Sequence, residues 1–341
     1  MRVVLVHPAF LGDTVFLGPA VRALKARWPD AEVGLVVTPR GEPVARLLPG
    51  VDEVFSFDKR RADRGLGGML RLARRIRAFG PEVALVSHPS ARSGTLAWLA
   101  RIPRRIGYAP LCNEAAVLDR GRPFVDRSLG LVERLGAPVT DRRLALTPPP
   151  GLAGYADEVL RGAAGPVVGI VPGAEWATKR WGEAKYAELA RRLHARGATV
   201  LLLGGPGERE ASARIVAASG APVRDATGNS IPEALALLAR CRLVVGGDTG
   251  LVHCARALGC PAVLVFGPTD PARHVFEPTA RPVRVPLECS PCHDHGPERC
   301  PLRHHRCMVD LSVDAVEDPA VALLGETGAG LPGTGGGGER A

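Results

Sequence analysis

Two successive stretches of alternating strand and helix patterns, separated by three consecutive prolines, predict an α/β protein. It is expected to contain two doubly wound domains facing across a cleft. The chain of 341 residues is long enough for two domains, and 46% hydrophobic with 23% charged residues is a globular composition. Aromatic residues make up only 4%, so the cores must be built from Val, Leu, Ala and Ile. In the first half, β-branched and leucine runs at 3–6, 33–37 and 83–86 read as buried parallel strands. In the second half, 167–171, 200–203, 243–245 and 262–266 do the same. Helical patterns at 21–28, 69–79, 185–196 and 232–239 lie between them.

Pro148-Pro149-Pro150 marks the division, because consecutive prolines make a stiff, extended connection. The domains are expected at 1–147 and 167–311, with a Pro/Gly-rich linker at 148–166. A last helix at 312–324 is expected to return to the first domain, and a Gly-rich disordered tail covers 325–341. No apolar run reaches the roughly 18–20 residues of a spanning helix, and the apolar stretch in Met1–Pro8 is too short for a signal peptide, so the chain is expected in the cytoplasm. Residues 1–150 carry 24 Lys and Arg against 14 Asp and Glu, whereas 151–341 carry 20 against 21. A basic half of this kind is either a solubilising surface or a face for an anionic partner: a phosphorylated glycolipid, an acidic membrane or nucleic acid. Arg60, Arg61, Arg64, Arg71, Arg74, Arg75 and Arg77 around Leu70, Leu72, Ala73 and Ile76 read as a basic amphipathic helix. Such a helix either touches lipid or packs its leucines on the sheet.

Four strand ends carry polar groups suited to chemistry. After the first strand, Gly12 permits a sharp turn and Asp13 stands at the start of a helix, as an N-cap or as a general base. After 167–171 comes Trp176-Ala177-Thr178-Lys179-Arg180-Trp181, where Lys179 can neutralise phosphate charge and Thr178 can donate a hydrogen bond. After 243–245, Gly246-Gly247-Asp248-Thr249-Gly250-Leu251-Val252-His253 gives a Gly-rich turn and a helix N-terminus fit for a pyrophosphate. Phe266-Gly267-Pro268-Thr269-Asp270-Pro271 is the fourth. There is no G-x-G-x-x-G in the first turn, no P-loop, no G-x-S-x-G and no Asp-x-Asp pair for a metal-held nucleotide sugar. Cys289, Cys292, Cys300 and Cys307, interleaved with His293, His295, His304 and His305, either enclose a zinc or another metal or remain free thiols.

These blocks, with Leu11-Gly12-Asp13 and the Cys289–Cys307 stretch, resemble the signature segments of glycosyltransferase family nine, the ADP-heptose:lipopolysaccharide heptosyltransferases. The cysteine stretch is similar to the tail of the heptosyltransferase II branch. The resemblance implies the GT-B fold of two Rossmann-like domains, acceptor binding by the first and nucleotide-sugar binding by the second. It also implies inverting, metal-independent transfer of a heptose from ADP-heptose to an anionic lipid A–inner core glycolipid. Asp13 falls on the family's general base and Lys179 and Thr178 on its pyrophosphate loop. Asp248, Thr249, Gly250 and Leu251 fall on its ribose and phosphate turn with His253 beside it, and Glu208 on a ribose contact. The family's first loop often carries small polar residues, where this chain has His7-Pro8-Ala9-Phe10. No catalytic cofactor is implied, and the zinc would be structural. The expected site of action is the cytoplasmic face of the inner membrane, held peripherally. The readings from other classes are a nucleotide-sugar epimerase of related fold and a zinc-containing nucleic-acid-binding protein. Basic residues far from the cysteines and the lack of an aromatic stacking strand count against nucleic acid.

Overall fold

The computed structural model describes residues 1–326. The chain divides into two units, Met1–Pro148 with Ala272–Val275, and Pro149–Pro271 with the residues from Phe276 on. In the first, β1 (Arg2–Val6), β2 (Glu32–Val37), β3 (Glu53–Ser56), β4 (Val83–Val86), β5 (Arg104–Gly107) and β6 (Glu114–Ala115) form one sheet in the order β3-β2-β1-β4-β5-β6. In the second, β7 (Val167–Val171), β8 (Thr199–Gly204), β9 (Val223–Thr227), β10 (Leu243–Gly247), β11 (Ala262–Val265) and β12 (Ala280–Val283) run β12-β11-β10-β7-β8-β9. Every pairing is parallel. Counted within its own unit, each sheet has the order 3-2-1-4-5-6 of a doubly wound Rossmann-like fold, with a topological switch point between β1 and β4 and another between β7 and β10.

The central strands are continuous apolar runs because helices cover both faces. Five strands had no sequence signal: β3, β5, β6, β9 and β12. Four are sheet edges, and β5 is flanked on one side only by the two-residue β6. Half-exposed strands carry charge, as in Arg104-Arg105, Val223-Arg224-Asp225 and Ala280-Arg281-Pro282, and Pro282 is tolerated because an edge needs no full ladder.

In the first unit, Val4, Val6, Val36, Phe55, Ala84 and Val86 meet Leu72, Ala73 and Ile76 from the helix Gly65–Phe79. That helix therefore keeps its apolar stripe on the protein, and Arg71, Arg74, Arg75 and Arg77 are its exposed face. Residues 153–159, within the expected linker, form a helix (Ala153–Val159) bound into the second unit. Arg224 donates to the carbonyls of Val159 and Arg161 at 2.7 and 2.8 Å, and Arg240 pairs with Asp157. The last helix, Asp314–Glu326, does not return to the first unit. Its Val316, Ala320, Leu323 and Leu324 complete the core of the second sheet, and its buried Glu317 pairs with Arg192 and Arg196 at 2.9 and 2.8 Å. Val316, Leu323 and Leu324, each contributing about 1.5–3 kcal/mol on burial, decide that placement. Gly325 and Glu326 belong to this helix, and the remainder of the predicted tail lies outside the described residues.

Candidate functional site

In the second unit, polar groups from the ends of β7, β10 and β11 meet on one carboxylate. Gly246 and Gly247 end β10; a Cβ on Gly247 would lie 3.0 Å from the Lys179 carbonyl, and one on Gly246 would lie 2.8 Å from that of Val171. The loop after β7 can thus close over β10. Lys179, on the short turn Ala177–Lys179, directs its ammonium to Asp248, donating to Oδ2 at 2.6 Å and to the main-chain carbonyl at 3.1 Å. Asp248 is buried; its Oδ2 also accepts the Thr269 hydroxyl at 2.8 Å, and its Oδ1 lies 2.9 Å from His253 Nε2. Asp248 does not cap the following helix. The cap position of Gly250–Ala257 is Thr249, whose side chain makes no capping bond, and no acidic residue occupies the first turn. The amides of Gly250 and Leu251 therefore face outward at the positive end of a helix beside an ammonium group, an arrangement that attracts a diphosphate.

Thr178 differs from its sequence reading. It is buried, its hydroxyl donates to the Pro297 carbonyl, and its own carbonyl lies 2.8 Å from His305 Nε2. Its only hydroxyl proton is committed within the protein, so Thr178 fastens the loop rather than offering a phosphate donor. Trp181 is a core side chain, with its indole N–H donating to the Leu311 carbonyl at 3.0 Å. Glu208 lies across the ends of β7 and β8, so close that a Cβ on Gly173 would meet its Cγ at 2.4 Å.

The segment holding the cysteines is laced to these same loops. The amides of Cys292 and His293 donate to the Pro268 carbonyl, and Gly296, at φ +92°, packs beside the Lys179 side chain. Burial raises the Cys307 thiol to about 11, as do Cys292, Cys300 and Cys289 nearby. Burial also acts to raise Cys300, but the amides of His305, Leu302, His304 and Arg303 aim at its sulfur and hold its thiol below the usual range. All eight cysteines are free.

In the first unit, Asp13 is the third residue of the short helix Leu11–Val15 and not its cap; Phe10 N–H donates back to its carboxylate at 3.1 Å. Asp13 lines a narrow recess with His7, Phe16, Leu17, Phe124, Arg127 and Ser128. Sequence reading did not single out the group at this switch point. His7, following β1, and Ser87, following β4, are hydrogen-bonded at 2.7 Å (Nδ1 to Oγ), and the rings of His7 and His88 pack edge to face at 5.6 Å. The strand-order rule would have found them, since both follow the two strands that flank the switch point.

A second pocket, of about 370 Å³, is lined by Phe57, Lys59, Arg60, Asp63, Arg64, Gly65, Met69 and Arg92. Among the described residues none of its four cations is ion-paired; the Asp63 carboxylate accepts the Asp58 amide, and Lys59 donates to the Pro8 carbonyl at 2.6 Å. Burial and the nearby Arg92 lower the pKa of Lys59. Four cations against the single carboxylate of Asp63 give this pocket an excess of positive charge.

The profile of glycosyltransferase family 9 (heptosyltransferase) matches residues 69–300. The lipopolysaccharide heptosyltransferase 2 of Salmonella typhimurium is 28% identical over 96% of this chain and 100% of its own length. Among solved structures, a family 9 glycosyltransferase from Veillonella parvula superposes with a TM-score of 0.85 at 24% identity, covering 95% of this chain and 97% of its own. The ADP-heptose lipopolysaccharide heptosyltransferase II of Escherichia coli gives 0.78 at 25% identity, covering 96% and 100%.

The histidines at the first switch point imply an acid-sensitive fold. Burial, followed by the charges of His88, Arg127 and Lys59, lowers the His7 pKa to about 3; burial, Lys59 and Arg127 lower His88 to about 4. Both are neutral in the folded chain while the unfolded chain takes up protons below about 6.5. Their contribution is therefore complete above that pH and is lost as pH falls from 6.5 towards 3 to 4. Urea midpoints measured across this window should fall with pH, and His7→Gln should flatten the slope. An unchanged slope in His7→Gln would contradict the assignment.

Proposed function

The chain belongs to glycosyltransferase family 9, and on that premise we propose that it moves a heptose from ADP-heptose to the inner core of lipopolysaccharide or a similar anionic glycolipid. The observation that carries this reading is the pairing of Lys179 with the uncapped N-terminus of Gly250–Ala257, a cation and free amides at a Rossmann-like switch point. We assign the transfer as a single displacement with inversion. Asp13 accepts the proton of the acceptor hydroxyl as its oxygen bonds to the anomeric carbon. The bond from that carbon to the diphosphate breaks, and ADP leaves with the electron pair. Lys179 and the amides of Gly250 and Leu251 stabilise the charge on ADP, which is the task a metal performs elsewhere. The sequence carries no Asp-x-Asp ligand pair for such a metal. Asp248 and His253 support Lys179, and Glu208, at the ends of β7 and β8, is assigned to the ribose. The unpaired cations of the Lys59–Arg92 pocket support an acceptor bearing phosphates or acidic sugars.

With a defined lipid A–core acceptor, Asp13→Ala should lose about 10²–10⁴-fold in turnover. A panel of ADP-heptose, ADP-glucose and UDP-sugars, read by mass, should give a product only with acceptor present and best with ADP-heptose. Near-normal turnover in folded Asp13→Ala would remove the base, and sugar epimerised without acceptor would make the protein an epimerase.

Cys289, Cys292, Cys300 and Cys307 are assigned to one structural zinc. The support is the set of amides directed at the Cys300 sulfur, which suit a thiolate, and the influence of the other three thiols on Cys307. No three of the four sulfurs lie within 4.8 Å of one another, so the segment would have to draw in around the metal. The metal would fasten a segment with little core of its own, and no step of transfer is assigned to it. Protein purified without chelator should hold about one zinc per chain. Cys292→Ser or Cys300→Ser should lower stability while the folded fraction retains most of its turnover. Full stability with lost activity would instead place the thiols in the chemistry.

No helix among the described residues is long and apolar enough to cross a membrane. We assign the protein to the cytoplasmic leaflet of the inner membrane, held peripherally through Arg71, Arg74, Arg75 and Arg77. Each adds roughly 1 kcal/mol near an anionic surface. Partitioning onto anionic vesicles at low salt should exceed that onto neutral ones; equal partitioning would refute the assignment.

A further inference from the structure

We propose that Arg256 is a positioning residue for Lys179, acting through His253 and Asp248; the proposal rests on the diphosphate role given to Lys179 above. Arg256 lies one helical turn beyond His253, and its guanidinium is 1% exposed. Its Nε and Nη2 donate to Glu277 Oε2 at 3.0 and 2.8 Å, and its plane lies 4.9 Å from the Phe276 ring centre. Its Nη1 faces His253 Nδ1 at 3.2 Å.

That contact fixes a proton. A guanidinium has donors and no acceptor, so His253 Nδ1 must accept. The imidazole is then neutral with its hydrogen on Nε2, and it donates to Asp248 Oδ1 at 2.9 Å. Asp248 is shared among His253, the Thr269 hydroxyl and Lys179. Lys179 places two of its three N–H bonds on Asp248, leaving one for a ligand oxygen. With the hydrogen on Nδ1 instead, the Nε2 lone pair would face the carboxylate. Asp248 would turn away, and Lys179 with it.

Stability does not require a charge here. Replacing a buried ion pair by uncharged side chains is often neutral or stabilising. The Arg256–Glu277 pair is thus best understood as a device that sets the His253 tautomer.

The test uses full-length protein, ADP as the probe in calorimetry, and steady-state turnover of ADP-heptose with the lipid A–core acceptor. R256M/E277Q removes both charges together, so neither is left buried alone. It should lose about 10- to 100-fold in kcat and in ADP affinity, the scale of a charge-assisted hydrogen bond, while KM for the acceptor holds. R256K, which restores a donor, should recover most of the loss. Nitrogen-15 imidazole shifts of wild-type protein should show His253 protonated on Nε2, and R256M/E277Q should lose that pattern. Wild-type ADP affinity and kcat in R256M/E277Q, alongside an impaired K179M, would overturn the proposal and leave the donor-site reading intact. An unimpaired K179M would remove both. Should the double variant not fold, a wild-type His253 protonated on Nδ1 would by itself refute the idea.

Discussion

The Asp248 carboxylate is the point on which the second unit's polar architecture depends. It ties the loop after β7, through Lys179, to the loop after β11, through Thr269, and to the helix that follows β10, through His253. A charge buried among these loops must be matched by directed donors. The ordering effect is reciprocal: Lys179 has its remaining proton aimed by the same bonds that make Asp248 tolerable in a buried position.

The first unit solves a different electrostatic problem at the equivalent place. There His7 and His88 are held neutral by burial, with Lys59 and Arg127 acting in the same direction. Four cations are gathered around one carboxylate, Asp63, in the adjoining pocket, and none of them is ion-paired among the described residues, which disfavours the unliganded protein. An arrangement that gives up stability in this manner makes physical sense where an anion supplies the missing charge. The uneven division of basic residues along the chain has its structural counterpart in this pocket and in the arginine face of Gly65–Phe79.

What was legible in the sequence follows from burial. Strands covered on both faces, such as β1, β4, β7 and β10, must be apolar throughout and were read nearly to the residue. Edge strands such as β9 and β12 owe their position to backbone pairing with a neighbour and so left no run of apolar residues. The apolar stripe of Val316, Ala320, Leu323 and Leu324 marks the last helix as a helix but does not say which sheet it covers, and it covers the second rather than the expected first. At the candidate site, Lys179, Asp248 and His253 could be named from residue type and strand-end position. Their mutual bonding could not, nor could the withdrawal of the Thr178 hydroxyl to Pro297, 119 residues away in the chain.

The same limit applies to Arg256 and Glu277. Each looks like an ordinary surface residue, one on a helix and one in a loop, and neither adjoins a Gly-rich turn. Only the folded arrangement shows that Glu277 holds Arg256 and that Arg256 in turn ends on His253. A charged pair of this kind adds little to stability, but it restricts an imidazole with two tautomers to one. That restriction passes through Asp248 to the ammonium group of Lys179. The residues that recognise the ligand and the residues that set their protonation are therefore separate sets, and only the first announces itself by motif.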